Sequence, residues 1–140
     1  MGRHSVSVAA VVTNDDGHVL VIQRRDNGAW QLPGGVLELE ESIEDGVRRE
    51  VKEETGADIT PIALTGVYKN IKLGVVALVF RASFDGGELG PTEESAAVQW
   101  WQADRVPAEM NEAFAVRITD ALNGERASVA IRTHDGIKLL

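Results

Sequence analysis

Apolar and polar positions alternate along this chain in blocks that separate strands from helices. Residues 6–12 form a β-branched apolar run and residues 19–23 another, with Asn14-Asp15-Asp16-Gly17 between them. That spacer has turn chemistry, so the pattern predicts a hairpin. Asp26-Asn27-Gly28 is a second turn and leads into Trp30-Gln31-Leu32-Pro33-Gly34-Gly35. Proline and paired glycines exclude regular helix there, and glycine lets a backbone approach a ligand closely. A helix is predicted from Ser42, because Ser42-x-x-Asp45 is a capping-box pattern and Gly56 is a good C′ residue. Residues 59–68 and 75–84 read as strands, the second too apolar for an exposed edge, and Gly86-Gly87 is expected to break the chain. An acidic loop carrying Glu93 and Glu94 precedes a short strand at 98–101. Met110, Phe114, Ile118, Ala121 and Leu122 keep a helical period, with Pro107 before and Gly124 after. The tail, with Asp135-Gly136 between residues 129–131 and 137–140, predicts a terminal hairpin. Strands mixed with two helices give an α/β layered sandwich around a mixed sheet.

The first helix carries the most informative residues. Glu50, Glu53 and Glu54 stand at i, i+3 and i+4, so a helix places the three carboxylates on one face. With Glu50 at zero and about 100° per residue, Glu54 falls near 40° and Glu53 near 300°. Ile43, Val47 and Val51 lie between roughly 20° and 100°, and Asp45, Arg48 and Lys52 between roughly 160° and 220°. The carboxylates therefore border the buried stripe, and the solvated face is the Arg48/Lys52 side. Glu-rich helices are ordinarily just solvated, because like charges on an exposed face cost only a few tenths of a kcal/mol. Beside a buried stripe the cost is larger. At ~6 Å and an effective dielectric near ~20, each pair repels by about 3 kcal/mol. A divalent cation is the natural offset, and the carbonyls of the Pro33-Gly34-Gly35 bend could add oxygen ligands.

Composition narrows the class. A chain of 140 residues is expected to form one domain with one core. Its 44% hydrophobic and 26% charged content is ordinary for a water-soluble globular fold. The absence of cysteine removes disulfides, thiolate metal sites and thiol nucleophiles. No apolar run approaches the ~18 residues of a membrane span and no signal peptide is evident, so the cytoplasm is the expected location. A net charge of −8 opposes polymeric nucleic acid, whose recognition needs a basic footprint. Small anionic substrates are compatible with it where metal ions neutralise both partners.

Residues 35–57 resemble the Nudix box, Gly-x5-Glu-x7-Arg-Glu-U-x-Glu-Glu-x-Gly-U, where U is a bulky aliphatic. Gly35, Glu41, Arg49, Glu50, Val51, Glu53, Glu54 and Gly56 occupy their places, and Ala57 at the last aliphatic position is the single departure. The resemblance extends from about residue 6 to 122 and implies a Nudix-type α/β/α sandwich. It further implies hydrolysis of a nucleoside diphosphate linked to another moiety, with Mg²⁺ or Mn²⁺ as cofactor. Carried onto matching positions, Glu50, Glu53 and Glu54 become metal ligands, and the carbonyl of Gly34 becomes the backbone ligand. Arg49 would hold a catalytic carboxylate in place, and Glu41 would fix the loop to the helix. In this family the general base lies on the helix or on a later loop, where Glu93 and Glu94 are the candidates. Many members of the family dimerise, and nothing in this sequence fixes an interface.

Several residues keep two readings. Trp30 could stack on a nucleobase or simply pack in the core. Tyr68, with Lys69 and Asn70, could touch substrate from a strand end. His134 could serve as a base or a ring-binding group, although its place beside a hairpin turn points to a surface residue. The downstream signatures of several Nudix subfamilies are absent. Lys72 stands where the ADP-ribose type expects proline, and Leu73, Gly74 and Val75 stand where diadenosine-polyphosphate types expect tyrosine. These absences lean toward a nucleoside triphosphate or a modified nucleotide as substrate. A hydrolase of ADP-ribose or another dinucleotide-type substrate is one alternative, and a nucleotide-sensing domain without turnover is another.

Overall fold

The computed structural model describes residues 2–123 and 128–140. Strands β1 (Ser5–Thr13), β2 (Val19–Arg24), β3 (Trp30–Gln31) and β4 (Gly34–Val36) precede helix α1 (Ile43–Thr55). Then come β5 (Ala57–Asn70), β6 (Val75–Gly87), β7 (Ser95–Trp101), a short helix α2 (Val106–Glu109), α3 (Glu112–Asn123) and β8 (Ala130–His134). All eight strands join one mixed sheet in the order β3-β2-β1-β6-β5-β8, with β4 added on β1 and β7 on β2. The β1–β6 and β5–β8 pairs are parallel.

Alternation along the strands builds two cores. On β1, Val8, Ala10 and Val12 face Val47 and Val51 of α1. Ala9 and Val11 face the opposite layer, which contains Ala115, Ile118 and Ala121 of α3. Because successive strand residues point to opposite faces, one apolar strand supplies both layers. The sandwich is therefore α/β/α, with β6 between β1 and β5 as its apolarity requires.

Local signals place the ends of α1. The Ser42 hydroxyl accepts from the Asp45 amide at 3.2 Å, and Gly56 adopts φ 83° while its amide closes on the Lys52 carbonyl. A Cβ at Gly56 would also strike the Glu88 carbonyl.

Four expectations change. The turn at 14–17 forms, with the Asn14 carboxamide oxygen accepting from the Asp16 and His18 amides. The hairpin does not, because β1 and β2 pair only at Thr13 and Val19. β1 instead takes β6 and β4 as neighbours, and β2 takes β7 and β3. β6 does not stop before Gly86 and Gly87 but ends on them, since both pair with Asp58 and Ala57 at positive φ. The helical period from Met110 is split, since Pro107 lies within α2 and Met110 is extended at φ −123° and ψ 151°. Gly124, the expected helix stop, lies outside the described residues. The tail folds back only as a bridge from His134 to Leu139, and β8 spends its pairing on β5. Among the described residues, no helix is long and apolar enough to cross a membrane.

Candidate active site

Arg49 organises the functional end of α1. Its guanidinium donates to Glu41 through Nε at 2.8 Å and Nη2 at 2.6 Å, and Nη2 also donates to the Val36 carbonyl at 3.1 Å. Nη1 donates to Glu50 at 2.8 Å and to Glu53 at 3.3 Å. The planar fork thus ties the loop after β4 to two of the helix carboxylates, a geometry a lysine cannot reproduce. The Arg49 guanidinium and the Glu38 amide together hold the Glu41 carboxyl well down, at about 2.

The three helix glutamates differ in setting. Glu50 and Glu54 are buried, whereas the Glu53 side chain is 59% exposed. Burial pushes the Glu50 carboxyl up even though Arg49 pulls it down. Burial pushes Glu54 further, to about 7, against the stabilising Gly34 amide that donates to it at 2.8 Å. Among the described residues, these side chains do not converge into a preformed metal cage. Their donor chemistry fits a hard divalent cation nonetheless: carboxylate oxygens, two of them buried and only Glu50 of those paired with a cation, beside a glycine backbone.

Close approach crowds both glycines, Gly34 against backbone and Gly35 against a side chain. A Cβ at Gly34 would meet the Val8 carbonyl and Ala9, and one at Gly35 would overlap the Glu50 carboxylate. Gly35→Ala should leave the melting temperature nearly unchanged, because the Glu50 side chain can swing aside. Moving that carboxylate should cost about 100-fold in kcat, as misplacements of ~1 Å do. Steady-state kinetics beside a thermal melt would check it, and an unimpaired kcat would show that Glu50 needs no fixed position.

A cavity of 370 Å³ adjoins this end of the sheet. It touches Gly34 and Gly35 and is also lined by Arg24, Phe114, Arg117 and His134. The candidates distribute unevenly around it. Of the acidic loop, whose Glu93 and Glu94 are both exposed, Glu94 lies close enough for its charge to raise the Glu50 and Glu54 carboxyls. Asn70 lines the cavity, with its side-chain oxygen occupied by the Lys72 and Leu73 amides. Tyr68 does not meet the expectation of a substrate contact. It is fully buried under α3, and its hydroxyl donates to Asp120 at 2.8 Å, because its strand position faces the core. Trp30 packs on Trp101 with ring centroids 4.8 Å apart and does not line the cavity. His134 is no surface residue: it is fully buried, its ring edge to face with Phe114. Arg24 and Arg117 were not singled out from sequence. Arg117 was discernible there, as a cation three residues after Phe114 and four before Ala121 on the apolar face of α3.

The family model for the NUDIX domain matches residues 3–122. The chain belongs to the Nudix family. A relative, a MutT-like protein of Streptomyces ambofaciens, is 53% identical over 98% of this chain and 88% of its own length. An ADP-ribose pyrophosphatase of Methanocaldococcus jannaschii is 32% identical over 74% of this chain and 64% of that protein. Among solved structures, a Nudix hydrolase from Nitrosomonas europaea superposes with a TM-score of 0.80. That alignment covers 96% of this chain and 81% of the other, and at 23% identity it shows the fold. The protein is accordingly a Nudix hydrolase with a mixed sheet between helices, and Nudix enzymes generally require a divalent metal ion.

Proposed function

We propose that this chain is a metal-dependent pyrophosphohydrolase acting on a nucleoside triphosphate or a modified nucleotide. The observation that carries the reading is the pair of buried carboxylates, Glu50 and Glu54, resting against Gly35 and Gly34 beside the cavity. Glu50, Glu53, Glu54 and the Gly34 carbonyl would hold Mg²⁺ or Mn²⁺. Bound there, the ion supplies neutralisation of the diphosphate, polarisation of the attacked phosphorus and a lowered pKa for coordinated water. Arg49 fixes Glu50 and Glu53 in position, and Glu41 locks Arg49 in turn. Burial raises the metal-free Glu54 carboxyl to about 7, and a cation bound there would return it to the ionised form that ligation needs. Glu94 is the better loop candidate for a base, since its charge already reaches Glu50 and Glu54. The acidic chain and the absence of a membrane-crossing helix among the described residues agree with a small nucleotide handled in the cytoplasm.

Phosphate or pyrophosphate release from a panel of nucleoside triphosphates, modified nucleotides and ADP-ribose tests the reading. Turnover of triphosphates that EDTA abolishes is the expected result. Turnover confined to ADP-ribose would move the substrate to the class for which the archaeal relative is named. Binding without turnover of any of them would make the chain a sensor.

Metal should also stabilise the fold, because a cation relieves the buried charge of Glu50 and Glu54. At a hundredfold excess over Kd the linkage is about 2.7 kcal/mol. For a chain of this size that is a rise in Tm of roughly 8 °C. A melting curve indifferent to saturating Mg²⁺ and Mn²⁺ would remove the metal site from the reading.

A further inference from the structure

Arg117 and His134 line the cavity but take no part in the diphosphate chemistry, and their hydrogen bonding is incomplete. The Gly136 amide donates to His134 Nδ1 at 3.0 Å, so a neutral imidazole must carry its proton on Nε2. Burial and the Arg117 charge both push the ring toward that neutral form. Arg117 Nη2 lies 3.3 Å from His134 Nε2. A guanidinium only donates, so two N–H donors face each other there. The Arg117 Nε is also buried without a hydrogen-bond partner. Among the described residues no carboxylate pairs with Arg117. Asp120, three residues on, is held by the Arg132 fork at 2.7 Å and by the Tyr68 hydroxyl. The guanidinium carbon lies 5.1 Å from the Tyr68 ring centre and 4.8 Å from that of Phe114. Those rings answer the charge through their faces and leave the in-plane N–H groups unanswered. Burial brings the guanidinium down to about 10, so it is still a cation at neutral pH.

Two donors that face each other without an acceptor, in the wall of a cavity that also reaches the diphosphate site, call for an acceptor on the ligand. The cavity mixes apolar Leu32, Ala77 and Phe114 with polar Asn27, Gln31 and Asn70, a lining that suits a flat heterocycle with polar edges. We propose that Arg117 and His134 read an exocyclic carbonyl oxygen on the nucleobase, selecting 6-oxopurines and 4-oxopyrimidines over their amino counterparts. One carbonyl oxygen has two lone pairs and answers both donors. An amino group at the same ring position would add a third donor to the two. This inference rests on the nucleotide substrate proposed above.

The test measures binding of nucleoside monophosphates without metal, alongside kcat/KM for the matching triphosphates with Mg²⁺. Wild-type protein should bind GMP, IMP or UMP at least about 30-fold more tightly than AMP or CMP, as sites built to hydrogen-bond a substrate group reject analogues lacking the complement. Purine and pyrimidine arms show which ring the cavity takes. Arg117→Met should bring the oxo-to-amino ratio to within about threefold, by weakening the oxo ligands and leaving the amino ones unchanged. Its Tm should not fall, because an apolar side chain of similar length replaces a buried cation that has no carboxylate partner. Should that variant fail to fold, wild-type protein decides with IMP against purine riboside monophosphate, which lacks the 6-oxygen. Equal binding of that pair, or an Arg117→Met loss shared equally by oxo and amino ligands, overturns the proposal. Oxo-selective binding without triphosphate turnover would sustain the carbonyl site and sink the hydrolase reading. Turnover indifferent to the base would do the reverse.

Discussion

Glu54→Gln and Glu53→Gln should each lower kcat by about three orders of magnitude or more while the fold stays intact. A carboxylate-bound divalent ion contributes several kcal/mol of charge stabilisation, and each ~1.4 kcal/mol lost from the barrier is a factor of ten. The two variants should differ in stability. Glu53 is exposed, so its amide should leave the metal-free melt unchanged. Glu54 is buried, and its carboxyl is raised from 4.5 to about 7. A carboxyl whose folded value lies above its unfolded value costs stability as pH rises through that window. Metal-free Glu54→Gln should therefore melt higher than wild type near pH ~8 and lose that advantage near pH ~5. Kinetics with saturating Mg²⁺ and melts at the two pH values check both halves. Undiminished turnover in both variants would sink the metal assignment.

Arg49→Met should damage stability and turnover together. The Arg49 guanidinium lies within 3.7 Å of Glu38, within 2.6 Å of Glu41, 2.8 Å of Glu50 and 3.3 Å of Glu53. Removing it leaves these four carboxylates facing one another, with Glu41 and Glu50 largely shielded from water. Breaking a partly buried ion pair by deleting one partner costs about 2–4 kcal/mol, somewhat below the ~3–5 kcal/mol of fully buried pairs. The loss of Glu50 and Glu53 positioning adds about 100-fold in kcat. Arg49→Lys should recover part of the stability and little of the rate, because an ammonium cannot bridge Glu41 and Glu50 with one planar fork. Urea denaturation with steady-state kinetics would measure both. Full recovery of rate in the lysine variant would show that charge alone, and no fixed geometry, is what Arg49 contributes.

Helix α1 was legible because its signals are local. Ser42, Gly56 and the 3.6-residue period act within one or two turns, so the sequence placed Glu50 and Glu54 beside the buried stripe before any tertiary contact was known. Glu53 was assigned to the same group, and it is the exposed edge of that stripe. The apolar run of β6 likewise announced a central strand. Its partners were not announced: turn chemistry at 14–17 promised a hairpin of β1 and β2, yet the two meet only at Thr13 and Val19 while β6 and β4 pair along the rest of β1. Turn residues fix a reversal of direction. Which backbone edges then meet depends on segments far apart in the chain.

The same division runs through the site. By itself the sequence determined the acidic helix, its Arg49 and Glu41 partners and the glycine bend, and the contiguous motif they form implied the reaction class by its resemblance to the Nudix box. Only the tertiary structure separated Glu94 from Glu93, buried Tyr68 on Asp120 and set Trp30 against Trp101. It also moved His134 from an expected surface turn to a buried place 3.3 Å from Arg117, opposite residues of β1 and β6. Those placements depend on how α3 docks on one face of the sheet and β8 on its β5 edge. Burial and donor–acceptor balance are properties of that docking, which no local stretch of sequence encodes.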